Sequence, residues 1–315
     1  RRELFLHRLQ FGRLPGRLCS RGVGLVGLRE AGGRQFRLHG GQLRRLALLL
    51  RHGRLDDDLL LRVLLAVAEL AELANRHLWG QFSSLGRSVD GMTVIERGEG
   101  CYVWDTEGNQ YLEGLSGLWC TALGYANQEL IDVTAEQMKK LTFSHMFGGK
   151  THKVAIELSE KLADMIPMRD PVISFGNSGS DANDTHIKLL RYYHEAINKT
   201  EKRKIIARHR SYHGVTIAAA SLTGLPVTQN HFDLPVDALG ILRTDHPHYF
   251  RGKEEGESEN QFVDRIVSNL ENLIISENPE TIAAFIAEPI TGASGVIVPP
   301  EGYYEKVQSV LSKSN

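Results

Sequence analysis

The sequence predicts an α/β fold: a mainly parallel sheet covered by helices on both faces, with a small antiparallel meander ahead of it. Two observations carry this. After residue 150, short β-branched runs alternate with longer segments of helical spacing, and strands that alternate with helices build parallel sheets. Between residues 93 and 114, TVIE, GCYVWD and NQYLEG follow one another with turn residues between them, which reads as consecutive antiparallel strands.

The organisation follows in chain order as three stretches: 1–74, 75–126 and 127–315. The first is an Arg-, Leu- and Gly-rich segment without Ile, Met, Thr, Asn or Lys before Asn75. Those are the five amino acids whose codons all begin with A, and protein physics offers no reason to avoid that set. We therefore expect residues 1–74 to be non-native sequence, such as a wrong-frame translation, or disordered. An organelle-targeting segment fits less well, because Ser is scarce and Asp56 to Asp58 form an acidic run. A basic nucleic-acid arm fits poorly too, since interleaved aromatics are lacking. The second stretch holds the meander, with Glu107 to Asn109 making its last turn. The third is expected to be the first part of a large domain, opening with helices over Asn127–Leu141 and Lys153–Met165. The run PVISF, Pro171 to Phe175, is predicted as a buried strand. A helix follows from Asp181, where Ala182, Ile187, Leu190, Tyr193, Ala196 and Ile197 recur at helical spacing. Further strands are predicted at Lys204–Ala207 and Ile282–Pro289. Helices are predicted after Gly214, over Gln261–Ile275, and from near Glu301.

Composition narrows the function classes. A net charge of −1 argues against nucleic acid as the main partner. Cys19, Cys101 and Cys120 lack CxxC spacing, which disfavours a disulfide framework or a thiolate zinc site and points to a reducing compartment, the cytoplasm. The longest apolar stretch, Leu59 to Ala68, is broken by Arg62 and is too short to span a membrane. No metal site is expected.

The chemistry is concentrated in four stretches. In FGNSGSDANDTHIKLL, Ser178, Gly179 and Ser180 stand where a helix begins. Unpaired N–H groups and the positive end of the helix dipole make such a turn a site for an anion, above all a phosphate. Ser and Asp also cap helices, so a cap alone is the competing reading. RSYHGVT puts Tyr212 and His213 after a predicted strand, where ligands of parallel sheets bind. AFIAEPITGASG ends another apolar strand in Glu288, a carboxylate that needs a partner if buried. GLSGLWC sets Trp119 after a glycine-spaced bend. Each residue by itself could be ordinary packing or surface.

In order and wording these stretches resemble the class III pyridoxal-phosphate-dependent aminotransferases. The resemblance runs through HLWGQF, RGEGCYVWDTEGNQYLEGLSGLWC, NSGSDANDTHIKL, SYHGVT, HFDLP, TDHPHYF and ETIAAFIAEPITGASGVIVPP, and covers about residues 76–315. It implies a fold-type I enzyme with pyridoxal 5′-phosphate as cofactor. Ser178, Gly179 and Ser180 would form the phosphate cup, Tyr212 would stack on the cofactor ring, and His213 and Glu288 would lie near it. Trp119 would shape the substrate pocket, joined less strongly by Phe82. The resemblance also implies a homodimer that builds each active site from two chains. The family's cofactor-linking lysine and ring-nitrogen aspartate would follow the strand of Glu288, beyond LSKSN. The chain is thus expected to be incomplete and inactive, with no catalytic residue assignable and Lys313 merely exposed.

Family members using glutamate or ornithine commonly carry an acidic residue where this chain has Ala293. The alanine suggests instead an ω-amino acid or amine donor and a small 2-oxo acid acceptor such as pyruvate. Two alternatives stay open: another fold-type I enzyme such as an aminomutase or decarboxylase, or a non-catalytic fragment or binding protein.

Overall fold

The computed structural model describes residues 26–29, 35–38, 70–80 and 92–314. They divide into two compact units, 1–151 and 152–315, whereas the sequence expectation starts the larger domain at residue 127.

In the first unit, β1 (Val26–Arg29) and β2 (Gln35–Leu38) pair antiparallel with Val26 opposite Leu38. A helical stretch, α1, covers residues 70–77. The meander follows as β3 (Ile95–Glu99), β4 (Tyr102–Asp105) and β5 (Gln110–Leu112), in that spatial order and antiparallel throughout. Its last turn is organised by one carboxylate. Asp105 accepts hydrogen bonds from Glu107 N (2.9 Å), Asn109 N (2.8 Å), Asn109 Nδ2 (2.8 Å) and the Tyr111 hydroxyl (2.7 Å). Helix α2 (Gln128–Lys140) begins after Asn127, whose side chain accepts from Leu130 N at 3.1 Å, an ordinary N-cap.

The second unit opens with α3 (Lys153–Met165) and α4 (Gly179–Ala196). It continues as β6 (Lys204–Arg208), α5 (Ile217–Leu222), β7 (Ile241–Thr244), α6 (Glu259–Ser276), β8 (Ile282–Ile286) and α7 (Tyr303–Lys313). Its sheet has the order β7-β6-β8, and both pairings are parallel. Side chains alternate across a strand, and β6 shows what that does. Ile206 packs into a cluster with Phe262, Val263, Ile266 and Leu270 of α6 and Val307 and Val310 of α7. Its neighbour Ile205 packs with Ile187 of α4 and Leu222 of α5. The central strand therefore carries a hydrophobic core on each face.

One expectation needs correction, and one strand was missed. PVISF is not a strand: residues 171–176 lie outside any ladder, Val172 is 95% exposed, and Phe175 is exposed as well. A strand exists only through its partners, and no neighbouring strand among the described residues pairs with this run. Strand β7 was not predicted from the sequence; four residues with only two aliphatics, Ile241 and Leu242, carry too little pattern.

Candidate functional site

In a parallel sheet all strands deliver their following loops to one edge. Here those loops are His209–Gly214 after β6, Asp245–His248 after β7, and the segment holding Glu288 after β8. Glu288 is half-buried, and both its carboxylate oxygens are used: Oε1 accepts from Tyr212 N at 2.9 Å and Oε2 from Gly292 N at 3.0 Å. The carboxylate is thereby immobilised by two backbone donors and ties the Tyr212 loop to the end of β8. The Tyr212 ring is half-buried and packs against no other aromatic ring among the described residues.

The start of α4 meets the same loop. Ser178 is the N-cap, its Oγ accepting from Asp181 N at 3.1 Å. The capping function weighed from sequence is thus present, while the hydroxyl hydrogen of Ser178 has no acceptor among the described residues. The N–H groups of Gly179 and Ser180 have none either, and a side chain added at Gly179 would meet nothing within 4 Å. Ser180 Oγ accepts from Val215 N at 3.0 Å. Gly214, at φ +133°, sits so close that a Cβ there would lie 2.5 Å from that oxygen. Asn183 Nδ2 donates to His213 O at 2.6 Å, and Asp184 Oδ1 accepts from Thr216 Oγ1 at 2.8 Å and Ala219 N at 3.1 Å. Hydrogen bonds therefore link the helix start, the loop carrying Tyr212 and His213, and Glu288.

His213 is buried; its backbone N–H donates to Thr223 Oγ1 at 2.9 Å and its ring Nε2 has no partner. Burial, reinforced by Arg208 and Arg243, pushes its imidazole down to about 4. Burial likewise pushes His246 down to about 4, with Arg210 and His248 adding repulsion. Arg243 caps the end of α5, donating to the carbonyls of Ser221, Leu222 and Thr223, the last at 2.8 Å. Burial depresses this guanidinium to about 10.

Sequence reasoning missed Arg208 and Tyr304. Arg208 is fully buried, donating to Glu288 O at 2.7 Å, Tyr304 Oη at 3.1 Å and Thr291 Oγ1 at 3.1 Å. A charge closing an apolar strand reads as a surface residue, so no local signal marked it. Lys313 is exposed and lies 3.6 Å from Glu271. No lysine amine bonds to the side chains of Ser178, Ser180, Tyr212, His213 or Glu288 among the described residues.

Trp119 belongs to the first unit and is exposed. It closes a left-handed turn in which Ser116, Gly117, Leu118 and Trp119 have φ of 51°, 58°, 61° and 71°. Such a run is costly for residues with a Cβ. Glu113 opposes the cost by accepting from Leu115 N at 3.0 Å and Gly117 N at 2.7 Å. Phe82 lies outside the described residues. Among those residues there is no group of three or more His, Cys, Asp or Glu suited to a metal ion, and no helix long and apolar enough to cross a membrane.

A parallel sheet with helices on both faces, whose loops gather a helix start, Tyr212 and Glu288 at its carboxyl edge, is an α/β fold of the fold-type I pyridoxal-phosphate enzymes. The chain belongs to the class-III aminotransferases, whose family profile matches residues 85–315. It is 50% identical over 221 residues to gamma-aminobutyrate transaminase 1, mitochondrial, of Oryza sativa subsp. japonica, a match covering 70% of this chain and 42% of that protein. It is 48% identical over 221 residues to gamma aminobutyrate transaminase 3, chloroplastic, of Solanum lycopersicum, again over 70% of this chain and 42% of the relative. The chain thus spans under half the length of these relatives. Among solved structures, the omega transaminase from Pseudomonas jessenii in complex with PMP superimposes with a TM-score of 0.75 at 46% identity, covering 78% of this chain and 54% of that one.

Proposed function

We propose that the protein is the cofactor-binding part of a transaminase that moves an amino group from an ω-amino acid or amine to a small 2-oxo acid such as pyruvate. The observation that carries this reading is the open, undonated N–H pair at Gly179 and Ser180, hydrogen-bonded through Ser180 to the loop of Tyr212 and through it to Glu288.

Pyridoxal 5′-phosphate fits these residues. The N–H groups of Gly179 and Ser180, the Ser178 hydroxyl and the positive end of α4 would hold its phosphate. The unstacked Tyr212 ring would lie against its cationic ring, an arrangement favoured by the aromatic face. Glu288, fixed by two N–H groups, would supply negative charge that need not reorganise during reaction. His213 stays neutral near pH 7, so its free Nε2 can exchange a hydrogen bond without bringing a third cation beside the guanidinium groups of Arg208 and Arg243. When bound, the cofactor supplies an electron sink for the carbanion left when the donor loses its proton. We place the lysine that moves this proton outside the 315 residues, so this chain should retain the cofactor only non-covalently.

Ala293 in place of an acidic residue supports the amine or ω-amino acid donor, and the names of the relatives agree with that class. We further propose a homodimer for the full-length enzyme. Cys101 and Cys120 carry free thiols, which fits the reducing cytoplasm; fractionation against mitochondrial and plastid markers tests this placement, since relatives are named for those organelles.

The test compares the 315-residue chain with a version continued through the downstream reading frame, both supplied with an amine donor, pyruvate and pyridoxal 5′-phosphate. Alanine should form only with the continued version. Equal turnover by both would place the proton-transfer lysine inside this chain, and no turnover by either with any ω-amino acid would overturn the transaminase reading.

A further inference from the structure

Arg208 is fully buried, yet the oxygens it bonds are all neutral: the Glu288 carbonyl at 2.7 Å, the Tyr304 hydroxyl at 3.1 Å and Thr291 Oγ1 at 3.1 Å. Its Nε has no partner. A buried cation ordinarily has a carboxylate beside it, because desolvation otherwise goes uncompensated. Here the cation holds one backbone carbonyl and two hydroxyls. The Tyr304 hydroxyl donates to the same Glu288 carbonyl, so that oxygen is gripped from two sides. Thr291 in turn exchanges backbone hydrogen bonds with Ile297 at 3.0 and 2.9 Å, closing the loop after Glu288. Gly292 of that loop donates to one oxygen of the Glu288 carboxylate, while Tyr212 N donates to the other.

We propose that Arg208 and Tyr304 are positioning residues: by fixing the Glu288 backbone they aim its carboxylate at the Tyr212 N–H and so set where the Tyr212 ring lies. This rests on the reading that Tyr212 and Glu288 face the cofactor. Tyr304 also packs at the margin of the α6–α7 cluster, so Tyr304→Phe keeps the ring and removes only the hydroxyl.

The test uses the whole 315-residue chain, with pyridoxal 5′-phosphate as the probe followed by absorbance, and amide hydrogen exchange read at Tyr212 and Gly292. Tyr304→Phe removes both the bond to the Glu288 carbonyl and the one from Arg208, and should raise the Kd for the probe about fivefold to tenfold. It should speed exchange at both amides and lower Tm by a few degrees, because it also strips the buried Arg208 of one acceptor. Lys306→Ala is the control: Lys306 shares α7 with Tyr304 and pairs with Asp264 of α6 at 2.6 Å, and its loss should change neither the Kd nor the exchange at Tyr212. Arg208→Lys, which keeps charge but loses the fork, should weaken binding at least as much as Tyr304→Phe. Unchanged Kd and unchanged exchange in Tyr304→Phe overturn the proposal. If the unmodified chain fails to bind the probe, retention needs more than these 315 residues, and the Kd arm is read on the continued version instead. Exchange at the Tyr212 amide then still decides the positioning: acceleration in Tyr304→Phe upholds it and no change refutes it.

Discussion

His213 and His246 are imidazoles that folding keeps from charging, each pushed down to about 4, in the first place by burial. In the unfolded chain a histidine titrates near 6.5. Between about pH 6.5 and 4 the unfolded state therefore binds protons that the folded state refuses, and stability falls as pH falls through that window. For His213 the full effect is on the order of 3 kcal/mol. His213→Gln should flatten the pH dependence of urea midpoints between pH 7 and 4.5; an unaltered slope would show that His213 is not the group responsible. Tyr212 acts at the same scale through its ring rather than its charge. Tyr212→Ala should weaken retention of pyridoxal 5′-phosphate about tenfold, as expected for a lost cation–π contact out of water. Lys313→Ala should leave retention unchanged, because that amine sits on an exposed helix end by Glu271; loss of binding there would mean the lysine has been misjudged.

Elements differ in how openly the sequence announces them. Helices α2, α3 and α6 are legible because each has an apolar stripe at helical spacing, whereas the caps Asn127 and Ser258 emerge only from the structure, which starts α6 at Glu259 rather than Gln261. The meander is legible through its three short runs and the turn at Glu107 to Asn109, while the gathering of Asn109 and Tyr111 as donors to Asp105 emerges only from the structure. Strand formation is less local. PVISF has the right composition and no partner, while β7 has a poor pattern and pairs with β6 along its whole length, because pairing is a property of neighbours rather than of the run itself. The helix-start turn and the residues Tyr212, His213 and Glu288 were visible as motifs, but Arg208 and Tyr304 became visible only once the strand and α7 were brought together. The Asp105 turn yields its own prediction. Burial works to raise that carboxyl, but donors from Asn109, Tyr111 and the backbone outweigh it and hold it below the usual carboxylate range. Its contribution is present above about pH 4 and is lost as acid protonates the carboxylate in the folded state. Asp105→Ala strips four donors of their acceptor and should cost about 1–3 kcal/mol, seen as a lower thermal midpoint and faster exchange at the Asn109 amide; an unchanged midpoint would show the turn to be held by the strands alone.

At the scale of the whole molecule, the second unit's sheet has three strands, and among the described residues its outer strands β7 and β8 each have one unpaired edge. Open edges recruit other chains. We expect the 315-residue chain to associate with rising concentration in sedimentation velocity runs and to be poorly soluble; a sharp monomer throughout would count against exposed edges. The same sheet also explains where the molecule tolerates change. Ile205 and Ile206 face different cores, and Arg208 reaches under Glu288 only while that alternation is kept. Adding one residue before Ile205 reverses the parity of the strand: each isoleucine would turn to the core built for the other, and the guanidinium would leave the Glu288 carbonyl. An insertion beside Gly256, in an exposed loop at φ +76°, would disturb neither. The loop at Gly256 can lengthen, but β6 is a segment in which even its residue count is constrained.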